Sequence, residues 1–94
     1  MPRSKIAERI KTPAMLESEL HDVVTSNIKH LMLDRGFNQK TLEQLTGIQQ
    51  GNISKRFNKG LHYSLYDIVV FAKALNVSVI DLLKPKEKAP DYRK

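Results

Sequence analysis

The stretch from Gly47 to Gly60, GIQQGNISKRFNKG, carries two glutamines, two asparagines and three cations, and no acid. Carboxamides present a donor and an acceptor side by side, and lysine and arginine are cationic at any physiological pH. Groups of this kind hydrogen-bond and neutralise anions; they are poor nucleophiles and poor general bases. Ile53 and Phe57, four residues apart, give the segment one narrow apolar face if it is helical. Most of its surface is then left for an outside partner that offers hydrogen-bonding edges and negative charge.

Other chemistry finds no support. Cysteine is absent, so there is neither a disulfide framework nor a thiolate metal site. His21, His30 and His62 stand far apart, no HExxH-like spacing occurs, and no carboxylates cluster in a candidate cleft. No glycine-rich phosphate loop is present. The expectation is a protein that is not an enzyme and uses no metal or cofactor.

The formal net charge is +6 over 94 residues, which favours an anionic partner. From Asn38 to Tyr63 there are four cations (Lys40, Lys55, Arg56, Lys59) against Glu43 alone; further basic clusters lie near both ends. An apolar content of 40% suits one packed domain. No apolar run reaches the ~18 residues that span a bilayer, and MPRSKIAERIK lacks the apolar core of a secretory signal. A cytoplasmic protein with no membrane partner is expected, and no effector domain is expected after residue 83.

The elements that must position the amide-rich segment read as helices throughout. Thr12-Pro13 resembles an N-cap with proline in the first turn. Glu17, Glu19 and Asp22 follow early in this helix, and Leu20, Val24, Ile28 and Leu31 form its apolar face, giving a helix over about 14–35 closed by Gly36. Asn38 caps a second helix, about 39–46, with Leu42 and Leu45 inward and Gly47 at its end. A third helix, about 50–59, follows. Ser64 with Asp67, and Ser78 with Asp81, have capping-box spacing for two more. Leu65, Ile68, Phe71, Ala72 and Leu75 supply the core face of the fourth helix, Asn76 closes it, and Pro85 lies beyond the fifth. The fold class is all-α: five helices, a basic N-terminal extension over 1–18, a compact domain over 19–83 and a flexible basic tail over 84–94.

Two short helices joined through Gly47, the second apolar only on the Ile53–Phe57 line, describe a helix-turn-helix. Around them the sequence resembles the lambda-repressor-like (Cro and xenobiotic-response-element type) helix-turn-helix family, from about Val24 to Leu83. The resemblance is carried by IKHLMLDRGFNQKTLEQLTGIQQGNISKRFNKG and by SLYDIVVFAKALNVSVIDLL, whose ending FAKALNVSVIDLL is close to a common family ending. Gly36, Phe37, Asn38 and Gln39 match the element before helix 2, and Gly47 lies six residues before Ile53, as in the family.

The resemblance implies that helix 3 reads double-stranded DNA. Gln50, its first residue, would contact a base, an amide being suited to adenine N6 and N7. Gly51 matches a position that often carries a base-reading side chain; here the backbone itself would approach. Lys55 would reach guanine, and Ser54 is the remaining base-facing residue. Phosphate contacts would come from Asn38, Gln39, Lys40, Gln49, Asn52, Arg56, Asn58 and Lys59, with Gln39 also bracing Gln50 and the Arg56 head reaching solvent along a packed stem. His62 could touch the DNA backbone from the loop, while Tyr63 is expected to pack. Met32 and Leu33, at family positions that are often charged, would cover the edge of the core.

Family members commonly bind as dimers on two half-sites. Tyr66, Val70 and Ile80 replace polar residues of the family pattern and form one candidate interface. The N-terminal segment with Ile6, Ile10, Met15 and Leu16 is another; its cations could instead follow DNA as an arm. The function implied is a dimeric transcriptional repressor acting by operator occupancy. The alternative is an antitoxin or other partner-binding module that uses the same domain on DNA.

Overall fold

The computed structural model describes residues 13–85, which form five helices and no strand among the described residues. They are α1 (Pro13–Arg35), α2 (Gln39–Thr46), α3 (Gln50–Phe57), α4 (Leu65–Leu75) and α5 (Val79–Leu83). The extension before Pro13, with Ile6, Ile10 and Thr12, and most of the tail lie outside the described residues. α1 runs unbroken through position 18, where the sequence suggests the edge of the extension.

Local signals set most of the helix ends. Pro13 opens α1, where a missing N–H costs nothing. The first turn of α1 holds no acid, because the helix starts early enough to place Glu17 beyond it. Gly36 and Gly47 close α1 and α2 in the left-handed conformation, at φ 70° and 81°, where a Cβ would be strained. Asn38 with Thr41, Ser64 with Asp67, and Ser78 with Asp81 form reciprocal capping boxes at the starts of α2, α4 and α5. Asn76 closes α4 at φ 59°.

The core joins Val24, Ile28 and Met32 of α1, Leu42 of α2, Ile53 and Phe57 of α3, Ile68, Phe71, Ala72 and Leu75 of α4, and Leu82 of α5. Polar ties reinforce it. Asn27 is buried, and its Nδ2 donates to the carbonyls of Leu82 and Lys84, both at 2.8 Å. This pins the end of α5, whose final carbonyls have no helical partner, to α1.

Five apolar residues behave differently from the sequence expectation. Leu20 is 47% exposed, because α1 meets the other helices only from His21 onward and residues 15–20 all face solvent. Leu45 is 50% exposed: the Gly47 turn brings Ile48 back onto the core edge, and Ile48 packs there instead. Leu65 is 87% exposed, since the buried line of α4 runs through Ile68, Phe71, Ala72 and Leu75 and no element covers the helix start. Met32 is a core residue on the line from His21 through Thr25 and Ile28, whereas Leu33, one residue on, points to solvent.

Candidate nucleic-acid interface

An eight-residue helix carries four rows of side chains, each made of residues four apart. In α3 the row Ile53–Phe57 is buried. The row Asn52–Arg56 is half-buried and turns toward α4. That leaves two outward rows, Gln50–Ser54 and Gly51–Lys55, in which Gln50, Gly51 and Lys55 are exposed and Ser54 is half-exposed. The four residues expected to face bases therefore stand together on one side of the helix.

The start of α3 is chemically open. Gln49 sits at the N-cap position in an extended conformation and makes no side-chain capping bond. The first inward bonds run from the N–H groups of Asn52 and Ile53 to the Gln49 carbonyl, at 2.9 and 3.0 Å. The N–H groups of Gln50 and Gly51 have no acceptor among the described residues. They point out of the positive end of the helix dipole, where an anion is favoured. At Gly51 an added Cβ would meet nothing within 4 Å, and its φ is not positive. The fold therefore does not require glycine there.

The flanking residues divide. Lys40 is exposed and pairs loosely with Glu43, at 3.7 Å. Asn38 is exposed, but its Oδ1 is taken by Thr41 N–H at 2.8 Å. Gln39 is half-buried and, among the described residues, makes no hydrogen bond to Gln50, so the expected brace is not formed. Gln49 and Asn58 are exposed, and Asn52 is half-buried.

Two cations are placed differently from expectation. The Arg56 head does not reach solvent: Nε donates to Asp67 Oδ2 at 2.9 Å and Nη1 to the Asn52 carbonyl at 2.8 Å. The side chains of this pair are only 15% and 6% exposed. A planar guanidinium with a buried acid beside it settles there rather than in solvent. Lys59 turns back on α1, its Nζ 3.0 Å from Asp22 Oδ1 and 3.1 Å from Ser18 Oγ. The cause is the end of α3, which comes at Phe57, two residues before the expected limit. Lys59 adopts φ 68°, and Gly60 N–H bonds back to the Lys55 carbonyl at 2.7 Å. This is a Schellman-type closure with lysine, not glycine, in the left-handed place.

α3 is also held from the α1 side. His21, buried on α1, donates through Nε2 to the Arg56 carbonyl at 2.6 Å and leans on Tyr63, with ring centroids 4.7 Å apart. Lys29 Nζ lies 5.4 Å from the centre of the Phe57 ring. Tyr63 packs as expected and shares a 2.7 Å hydrogen bond with Thr25, while exposed His62 lies 3.5 Å from Glu17. None of these supports is visible in helix periodicity, because each joins residues on separate elements. The one signal was Arg56 itself, a long cation where the family pattern has a bulky, partly buried residue.

Burial pushes the Tyr63 hydroxyl up to about 12. Its contribution to stability is complete below the ordinary tyrosine value of about 10 and is lost as pH rises toward about 12. Tyr63→Phe should cost about 1 kcal/mol at neutral pH through the lost Thr25 bond, and should lack that alkaline decline. Urea melts from neutral pH to pH 12 would check both; a parallel decline in the variant would contradict it.

Among the candidate interface residues, Tyr66 is 71% and Ile80 62% exposed, while Val70 is half-buried. Among the described residues no group of three His, Cys, Asp or Glu side chains could hold a metal ion, and no helix is long and apolar enough to cross a membrane.

Comparison with known proteins agrees with this geometry. No curated protein matches the chain. The crystal structure of a hypothetical transcription factor, NHTF, from Neisseria is similar, with a TM-score of 0.68 and 27% identity over 82% of this chain and 84% of that one. Residues 27–88 match the Cro/C1-type HTH DNA-binding domain, so the chain belongs to that family.

Proposed function

We propose that the protein is a sequence-specific double-stranded DNA-binding transcriptional regulator, acting as a dimeric repressor that occupies an operator of two half-sites. The observation that carries this reading is the division of α3 into two anchored rows and two outward rows. The outward rows hold Gln50, Gly51, Ser54 and Lys55 beside an uncapped helix start. Seated in a major groove, Gln50 and Lys55 meet base edges, and the N–H groups of Gln50 and Gly51 meet a phosphate. Lys40 near the start of α2, and Gln49 and Asn58 at the two ends of α3, are exposed and supply further phosphate contacts.

Selection of sites from random duplex DNA tests this directly. The expected product is a palindrome whose half-site centres lie about 10 bp, one helical turn, apart. Binding without sequence enrichment would contradict the reading. Affinity should fall steeply with salt, because each neutralised phosphate contributes about 0.9 to the slope of log K against log salt. Lys55→Ala should flatten that slope by up to about 1 if lysine meets phosphate, and should instead relax one base position if it meets guanine. Titrations at several salt concentrations on matched and mismatched sites separate the two.

A further inference from the structure

An apolar groove of about 210 Å³ lies between α1, α4 and α5, with no α3 residue in its walls. Val24 and Ile68 line it, with Leu20, Leu65 and Leu83 among its other walls. A cavity of ~150 Å³ accepts a benzene molecule, so this groove has room for a leucine side chain. Leu65 stands beside it as the most exposed large apolar residue described, at 87%. One helical turn along from Leu20 and Leu65, Leu16 and Val69 are exposed by 50% and 44%.

We propose that this face seats a second copy of the chain, with Leu65 of each protomer entering the groove of the other. The inference rests on the dimeric reading above and gives it a location different from Tyr66, Val70 and Ile80. An interface between identical copies related by a two-fold axis must be self-complementary, so one patch has to carry both a projection and its receptor. This face carries both, side by side. A groove for an unrelated helix would need only the receptor.

Area agrees. The exposed parts of Leu16, Leu20, Leu65, Val69 and Leu83 amount to on the order of 400 Å² of apolar surface. That is close to the apolar half of the ~800 Å² that each partner buries in a standard interface. The rim also holds Glu17, 3.5 Å from His62. The outward rows of α3 take no part in the groove and stay free for DNA.

Sedimentation equilibrium on the full chain, from 1 to 100 µM (concentrations spanning a dimer of about micromolar affinity), tests the proposal. Leu65→Glu is suited to it: the site is exposed and is the first residue of α4, where an acid favours the helix dipole. Circular dichroism is therefore expected to show an intact fold. The parent should be dimeric, Leu65→Glu should weaken the dimer at least about 30-fold, and Tyr66→Glu, off the groove, should dimerise like the parent. A parent monomeric at the highest concentration, a Leu65→Glu variant that stays dimeric, or a Tyr66→Glu variant that alone dissociates would overturn it. Binding of the same proteins to a duplex carrying one half-site is read separately. Its loss in all three would defeat the DNA reading while leaving the association result to stand or fall by itself.

Discussion

Replacing Asp67 with alanine is expected to lower stability by about 3–4 kcal/mol, a large share of the ~5–15 kcal/mol that holds a small domain together. Two losses coincide. The Arg56 guanidinium keeps its charge and its burial but loses its partner. Ser64 N–H loses the carboxylate it donates to at 2.8 Å, which is the half of the α4 capping box that Asp67 supplies. At ~4–8 °C per kcal/mol for a domain of this size, the midpoint should drop by more than about 12 °C in a thermal melt. A drop of under about 3 °C would mean that the pair contributes nothing net.

The same carboxylate sets an acid limit. Burial pushes the Asp67 pKa up, but the bonds from Arg56 and from Ser64 outweigh it and leave the group below its ordinary value. A depressed carboxylate stabilises the fold fully above its unfolded pKa of about 4, and that contribution is lost as pH falls through the lower folded value. Stability should therefore decline below about pH 4 in the parent. In Asp67→Asn the curve should start lower and lack this part of the decline. Denaturant melts from pH 2 to pH 7 give both readings.

The second large effect concerns DNA. Gln50→Ala should cost about 1–3 kcal/mol on the selected site, roughly 5- to 150-fold in affinity, and should relax specificity at one position of each half-site. Undiminished, equally specific binding would show that α3 does not read bases through its first residue. Gly51 supplies the sharper comparison. The fold has room for a methyl group there, and removing a helical glycine lowers unfolded-chain entropy, so Gly51→Ala should leave the melting temperature equal or slightly raised. Its DNA affinity should nevertheless fall about tenfold, because the methyl group stands where the phosphate or base edge must approach. Unaltered binding would sink the idea that the backbone approaches DNA at Gly51.

Local chemistry was legible in the sequence and tertiary pairing was not. Gly36, Gly47, Asn76 and the Ser64 and Ser78 boxes act within a few residues of themselves, and their spacing alone gave the helix ends. Ile53 and Phe57 fixed the inward side of α3 by the same arithmetic. What periodicity could not supply is which of two apolar residues a neighbour covers. Leu45 lost its place to Ile48, and Leu65 is left 87% exposed at the rim of the groove. Likewise charge counting takes every cation as free, whereas Arg56 is held by an acid eleven residues away and Lys59 by one on α1. Of the four cations between Asn38 and Tyr63, only Lys55 and the loosely paired Lys40 are thus exposed without a close acidic partner.

The Arg56–Asp67 tie also governs how α3, the proposed reading helix, can move. With the Asn52–Arg56 row locked to α4 and the Ile53–Phe57 row in the core, α3 cannot roll about its own axis to exchange one row for another. Each residue step is ~100° of rotation, so any other set of reading residues would require breaking a buried ion pair. In the proposed complex α3 would therefore dock in this one rotational setting, with little ordering entropy lost at that helix. Discrimination between sites should then be expressed in how long the complex lasts rather than in how fast it forms.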